Sequence, residues 1–216
     1  MTPRFPVILS SPSGGGKTTI AKELLRRRPD MAYSVSCTTR SPRDVEKEGT
    51  DYYFLSDAEF AAARANGDFA ESAEVHGRFY GTLKREVERI LESGRHVVMD
   101  IDVQGARQFA KAYPESVLVF IVPPDAETLL SRLRGRGTEN DESLVRRLRS
   151  AVEELRAVDL YGYLVVNRDL GEAVQAVSSI VDTESMRLFR IDSVPSHIGA
   201  MITDLESELE KMNRRV

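Results

Sequence analysis

The chain has 216 residues, 41% of them hydrophobic and 30% charged, with a formal net charge of −4 at pH 7. Those values belong to an ordinary globular protein with room for one well-cored domain burying about 70–75% of its unfolded surface, and they exclude wholesale disorder and a bilayer-spanning class. The mild acidity lacks the basic footprint of nucleic-acid binders, so neither nucleic acid nor membrane is expected as a partner, and any polyanion site must be local.

Cys37 is the one cysteine and has no internal partner, and no cysteine–histidine cluster has zinc spacing. MTPRFPVILSS holds too short an apolar run for a signal peptide. Together these predict a cytoplasmic chain.

In chain order, FPVILS (5–10) predicts a strand and TTIAKELLRRR (18–28) a helix. Between them SSPSGGGKTT matches the phosphate-loop pattern G-x-x-x-x-G-K-[ST] except that Ser11 stands in the leading place. That place contributes through its backbone, which serine also has, whereas Gly14 and Gly16 occupy places where a side chain would obstruct close approach or an unusual φ. A glycine-rich turn without a ligand is the bland alternative, but Lys17 and Thr18 follow at the required spacing. The stretch is therefore read as a live nucleotide triphosphate site, with Lys17 reaching the β/γ-phosphates and Thr18 offering a hydroxyl to Mg²⁺.

Residues 35 to 81 are turn-rich with short extended pieces and one helical stretch, DAEFAAARAN, and predict a small mixed-β insertion near the sheet's carboxyl edge. TLKREVERILESG (82–94) predicts a helix, and HVVMDID (96–102) a strand placing Asp100 and Asp102 on one side of its end. Both aspartates are candidate Mg²⁺-side carboxylates; capping of the next turn is the alternative. SVLVFIV (116–122) and YLVV (163–166) predict two more strands, all four buried on both faces, with an arginine-rich helical insertion over 125–157. Alternating strands and helices give an α/β class, a P-loop NTPase-like parallel sheet flanked by helices. In the tail, Ile198, Ile202, Leu205, Leu209 and Met212 follow a 4-3-4-3 spacing, either a helix on its own core or a seam joining two copies as a homodimer.

SVSCTTRSPR, EKEGTDYYF, FAESAEVHGRFYGT, DIDVQGA and RLRGRGTEN together make the chain resemble the guanylate kinase family from about residue 5 to 190. The resemblance implies one domain over 1–190, with an insertion binding the nucleoside monophosphate (about 35–85) and a helical lid (about 127–157), followed by a C-terminal helical extension (191–216). It implies transfer of the γ-phosphate of ATP to GMP, and to dGMP, in purine metabolism, with Mg²⁺ accompanying ATP.

The GMP phosphate would then be held by Arg40, Arg43, Tyr52 and Tyr80, and the guanine read by Ser36, Glu71 and Thr82, with Asp100 and Asp102 in the same pocket. Guanidinium forks suit phosphate oxygens, although Arg40 and Arg43 in a solvated turn would pair with Asp44 and Glu46 instead. ATP would be held by Ser13, Gly14, Gly15, Gly16, Lys17, Thr18, Thr19, Arg132, Arg136 and Asn167. Lys17, Arg43, Arg136 and Arg147 would carry catalysis by charge and position, with no covalent nucleophile; Thr18 binds the metal, with Asp100 as a second candidate ligand. Arg134, Arg146 and Arg149 read as a solvated face, and His76, His96 and His197 as structural or exposed. Arg168 stands where the family often has Asp after Asn167, which bears on donor choice. The rival readings are a guanylate-kinase-like binding module without catalysis and a related P-loop small-molecule kinase; intact Lys17, Thr18, Arg136 and Arg147 oppose the first, and TTRSPR with GTDYYF and Glu71 opposes the second.

Overall fold

The described residues are 3–75, 77–134, 141–191 and 194–214 of a computed structural model. The first half runs β1 (Pro6–Ser10), α1 (Lys17–Arg27), β2 (Met31–Tyr33), β3 (Cys37–Thr38), β4 (Tyr53–Phe54), α2 (Asp57–Ala65), β5 (Phe69–Val75), β6 (Arg78–Leu83) and α3 (Lys84–Glu92). The second half runs β7 (His96–Asp100), α4 (Val103–Ala112), β8 (Val117–Val122), α5 (Ala126–Arg134), α6 (Asp141–Arg156), β9 (Tyr163–Val166), α7 (Leu170–Ser185) and α8 (Val194–Asn213).

A continuous apolar strand must bury both faces, so helices cover the main sheet above and below. Its five strands are parallel in the order β2-β7-β1-β8-β9. Along β1 the side chains alternate between two cores: Val7 and Leu9 pack with Ile20 and Leu24 of α1 and Val174 and Val177 of α7. Ile8 packs on the other side with Val87 and Ile90 of α3 and Ala106 and Phe109 of α4. YLVV departs from the expectation of burial on both faces. β9 is an edge strand, with Leu164 56% and Val166 42% exposed.

Register sets the site. Leu9 of β1 lies beside Asp100 of β7, and Ser10 beside Phe120 of β8, so the loop after β1 and the carboxylate ending β7 emerge together at the sheet's carboxyl edge. His96 sits at the opposite end of β7, buried, where Arg4 Nη1 donates to its Nε2 at 2.9 Å, and burial holds its pKa down to about 4.

The smaller sheet has the order β4-β3-β6-β5. It closes on Cys37, Leu83 and Phe60 of α2, with Phe60 stacked on Phe69 and Phe79. Ser56 starts α2 with a capping box shared with Glu59. Thr82 and Leu83 finish β6 instead of opening α3, because both are buried in sheet pairing. A register shift between Phe69 and Glu71 sets Glu71 opposite Thr82. Gln108 of α4 bonds both the N–H and the C=O of Ser72, tying β5 to α4.

Contacts divide the chain into Arg4–Val181 and a smaller unit containing Asp182–Val216. Within the smaller unit Arg190 donates to Glu184 at 2.8 Å, both side chains buried. The expected tail helix is α8, and its seam residues lie at the surface, from 46% exposed at Ile198 to 63% at Leu205.

Candidate active site

The loop between β1 and α1 turns on two glycines and an internal bond from Gly15 N–H to Pro12 O at 2.8 Å. Gly14 and Gly16 have φ of +87° and +94°, a region L side chains rarely adopt. A Cβ on Gly16 would stand 2.5 Å from Asn167 Nδ2, and one on Gly15 would stand 2.6 Å from the Cβ of buried Ser11. Asn167, placed at the end of β9, donates from Nδ2 to Gly15 O at 2.9 Å. Its contact is thus with the loop backbone. Arg132 of α5 donates to Asn167 O at 3.3 Å, and its Nη1 is buried without an acceptor among the described residues. A buried guanidinium nitrogen lacking an acceptor, 4.0 Å from where a Cβ on Gly16 would sit, suits an incoming anion. Gly14, Gly16, Thr19, Arg132, Asn167 and Arg168 line one open cavity of about 440 Å³.

Asp100 lies between two hydroxyls: Thr18 Oγ1 donates to Oδ2 and Tyr33 OH to Oδ1, each at 2.5 Å. Tyr33 belongs to the short edge strand β2, and its phenol is held firmly protonated by burial and by the Asp100 charge. Asp102 does not extend the strand as alternation predicts. The strand ends at Asp100, and Asp102 caps α4, accepting from Gly105 N at 2.8 Å. Capping consumes one carboxylate oxygen and follows from the N-cap preference of aspartate.

A second cavity of about 370 Å³ joins this edge to the smaller sheet; Lys17, Thr18, Asp100 and Asp102 line one side and Ser36, Tyr52, Glu71 and Tyr80 the other. Glu71 is 7% exposed and accepts from Thr82 Oγ1 at 2.7 Å. Burial, reinforced by Asp102 and opposed by the Thr82 hydrogen bond, pushes its carboxyl up to about 7. Thr82 stands behind Glu71, fully buried. The Tyr52 and Tyr80 rings meet edge-on at 6.1 Å.

Three expected residues do not line this cavity: Thr82, which bonds Glu71 from behind, and Arg40 and Arg43. Arg40 forms a two-pronged pair with Glu46, both contacts 2.9 Å, and its guanidinium lies 5.5 Å from the Tyr52 ring centre. Arg43 offers its backbone N–H to Glu46 Oε2 while its exposed side chain does not line the cavity. The Glu46 pairing that a solvated turn predicts is thus present for Arg40. Arg147 of α6 donates to Leu133 O at 2.8 Å and to Ser13 Oγ at 3.4 Å. Arg136 lies outside the described residues, as does His76.

Tyr33 and Glu154 are participants that sequence reasoning did not find. Tyr33 precedes SVSCTTR on a three-residue strand with no periodic signal. Glu154 looks like a solvated helix position in AVEEL, yet its Oε2 accepts from Ser13 N at 3.0 Å.

A family model described as guanylate kinase matches residues 3–184. The chain is 43% identical over 186 residues to the guanylate kinase of Carboxydothermus hydrogenoformans, spanning 86% of this chain and 91% of that protein. To the guanylate kinase of Clostridium tetani it is 44% identical over 189 residues, spanning 87% and 90%. The crystal structure of guanylate kinase from Anaplasma phagocytophilum matches it with a TM-score of 0.73 at 34% identity, over 91% of this chain and 94% of that one. The residues matched by the family model include both sheets and helices α5 and α6, and the chain belongs to the guanylate kinase family.

Proposed function

We propose that the chain carries out its family's reaction, transfer of the γ-phosphate of ATP to GMP or dGMP to give ADP and GDP or dGDP, in cytoplasmic purine nucleotide metabolism. The observation that carries this reading is the buried Glu71, held by Thr82, facing Lys17 and Thr18 across one cavity. A base reader at one end and a phosphate loop at the other suit a nucleoside monophosphate laid between them.

In this reading the loop Ser13–Thr19 cradles the ATP phosphates with Arg132, Arg136 and Asn167, while Lys17 and Arg147 offset charge on the moving phosphoryl group. The four-stranded sheet unit takes GMP: Ser36, Glu71, Thr82 and Asp102 the base, and Tyr52, Tyr80, Arg40 and Arg43 the phosphate. Arg40 would exchange Glu46 for phosphate, a stronger charged acceptor set. The hairpin α5–α6 serves as the lid and residues 191–216 as an extension. Thr18 and Asp100 are hard oxygen donors and fit Mg²⁺, which binds such sites through one or two protein oxygens, substrate phosphates and water. The ion would supply positive charge that offsets the charge of the ATP phosphates. No helix of the described residues is long and apolar enough to cross a membrane.

A coupled assay of ATP against GMP, AMP, UMP and CMP tests the reading: turnover with GMP and at most traces with the others is expected, and absence of GMP phosphorylation overturns it. The exposed seam of α8 supports a homodimer formed by pairing two copies of that helix. Sedimentation of the chain beside Leu205→Glu checks this, and a monomer at tens of micromolar for the parent refutes it.

A further inference from the structure

Helix α6 presents two opposite charges to one loop residue. Arg147 and Glu154 are seven residues apart, two helical turns, and so project from one face. Both reach Ser13: Glu154 Oε2 accepts from its N–H at 3.0 Å, and Arg147 Nη2 donates to its Oγ at 3.4 Å. The two contacts are unequal. The first is a charge-assisted bond at ordinary length, whereas the second is at the outer limit and its arginine is also anchored on Leu133 O at 2.8 Å.

The position of Glu154 requires an explanation. Its carboxylate lines the same cavity as Lys17, Thr18 and Thr19, where an anion is expected, and it is partly withdrawn from water. A second negative charge there would repel a triphosphate and bear a desolvation cost. Burial raises its pKa above the ordinary carboxylate value; the Ser13 N–H, the Lys17 charge and a Ser150 hydrogen bond oppose that rise. The carboxylate is therefore committed to Ser13, whose N–H turns outward to α6, while the Gly15 N–H is held within the loop by Pro12 O at 2.8 Å.

We propose that Glu154 is a positioning residue that pins the phosphate loop to α6 through the Ser13 amide, the fixed point about which Arg147 exchanges Ser13 Oγ for phosphate. The loop shape and the approach of the α5–α6 hairpin are then coupled through one hydrogen bond. This rests on the proposed roles of the loop and Arg147 in ATP binding, but the pin itself is the Ser13 N–H to Glu154 bond and is tested without nucleotide.

The test uses the full chain with Glu154→Ala and Glu154→Gln. Hydrogen exchange of the ligand-free protein over residues 11–16 should be at least about tenfold faster in Glu154→Ala, and Mg-ATP affinity by calorimetry about 10–100-fold weaker, with GMP affinity within twofold of the parent. Gln keeps an acceptor for Ser13 N–H, so Glu154→Gln should stay within about fivefold of the parent in both readouts. Ser13→Ala, which keeps the N–H and loses the hydroxyl, should keep parental exchange. Parental exchange and ATP affinity in Glu154→Ala would overturn the proposal. So would Glu154→Gln behaving like Glu154→Ala, or Ser13→Ala loosening the loop as much. Should Glu154→Ala not fold, Glu154→Leu, which keeps the bulk and lacks an acceptor, takes its place with the same expected and overturning results. A parent that fails to phosphorylate GMP sinks the kinase reading, while the exchange result still decides the pin.

Discussion

Glu71 offers a quantitative test because its two tasks oppose each other. Guanine presents N1–H and a 2-amino group, so the base reader must be the ionised, acceptor-only carboxylate. The fold buries that carboxylate, and burial, with Asp102, holds it protonated up to about pH 7 in the ligand-free protein. A pKa of about 7 leaves roughly 1% of Glu71 ionised at pH 5 and about 90% at pH 8, and apparent affinity scales with the competent fraction. GMP should therefore bind about 90-fold more weakly at pH 5 than at pH 8 through Glu71 alone. The nucleotide phosphate also titrates in this range, so calorimetry at several pH values should be run on the parent and Glu71→Gln, whose ratio isolates the carboxylate. The stability sign runs the other way: the folded pKa exceeds the unfolded value of 4.5, so the stability Glu71 permits is fully present below pH 4.5 and lost as pH rises through 7. The gap corresponds to roughly 3 kcal/mol in the ligand-free parent, which Glu71→Gln should abolish. Base choice follows the same chemistry. AMP would set its N1 lone pair against the carboxylate, so the parent should prefer GMP by roughly 10⁴–10⁵ in kcat/KM, and the amide, able to donate or accept, should narrow that ratio. Parallel GMP affinity curves for parent and variant from pH 5 to 8, with an unchanged GMP/AMP ratio, would show that Glu71 does not read the base.

Lys17→Ala should cut phosphoryl transfer by at least about 100-fold while the thermal midpoint moves little, since Lys17 lines the cavity and belongs to neither core cluster; near-parental turnover would remove the loop from the mechanism. Ser11→Gly should stay within about threefold of parental activity because the loop binds through backbone, and a tenfold loss would implicate the hydroxyl. Gly15→Ala should be severely impaired by the 2.6 Å approach to Ser11 Cβ, and Ser11→Gly should partly restore it in the double variant, which steady-state kinetics on the four proteins would decide.

The parallel sheet was legible because strands buried on both faces cannot hide their apolar continuity: PVILS, HVVMD and VLVFIV are read off directly. Where burial is one-sided the pattern fails. β9 has the same composition as its neighbours but sits at an edge, and composition carries no information on which strand is outermost. Thr82 and Leu83 fit a helix start as well as a strand end, and only pairing with Glu71 and Phe69 decides. Asp102 shows a local preference overriding period-two alternation, since an aspartate three residues before Gly105 finds its N–H as soon as a helix begins there.

Side chains that act through rigid local geometry were legible in the site; those that act through long-range approach were not. Gly14 and Gly16 in the loop and Lys17 and Thr18 in the first turn of α1 are fixed by one contiguous segment, so their spacing along the chain is their arrangement in space. Tyr33 reaches Asp100 across 67 positions and Glu154 reaches Ser13 across 141, and neither has a neighbour in sequence that marks it. Arg40 shows the converse limit. Its charge matches a phosphate, but the same charge matches Glu46 six residues on, and the nearer carboxylate holds it. A guanidinium within reach of a fixed carboxylate and of a phosphate has two partners, the phosphate being the stronger acceptor set, so in the proposed reading ligand occupancy decides which it holds. If Arg40 takes the proposed phosphate role, the Glu46 pair keeps it oriented and its charge compensated beforehand, and the pairing and that role are two states of one side chain.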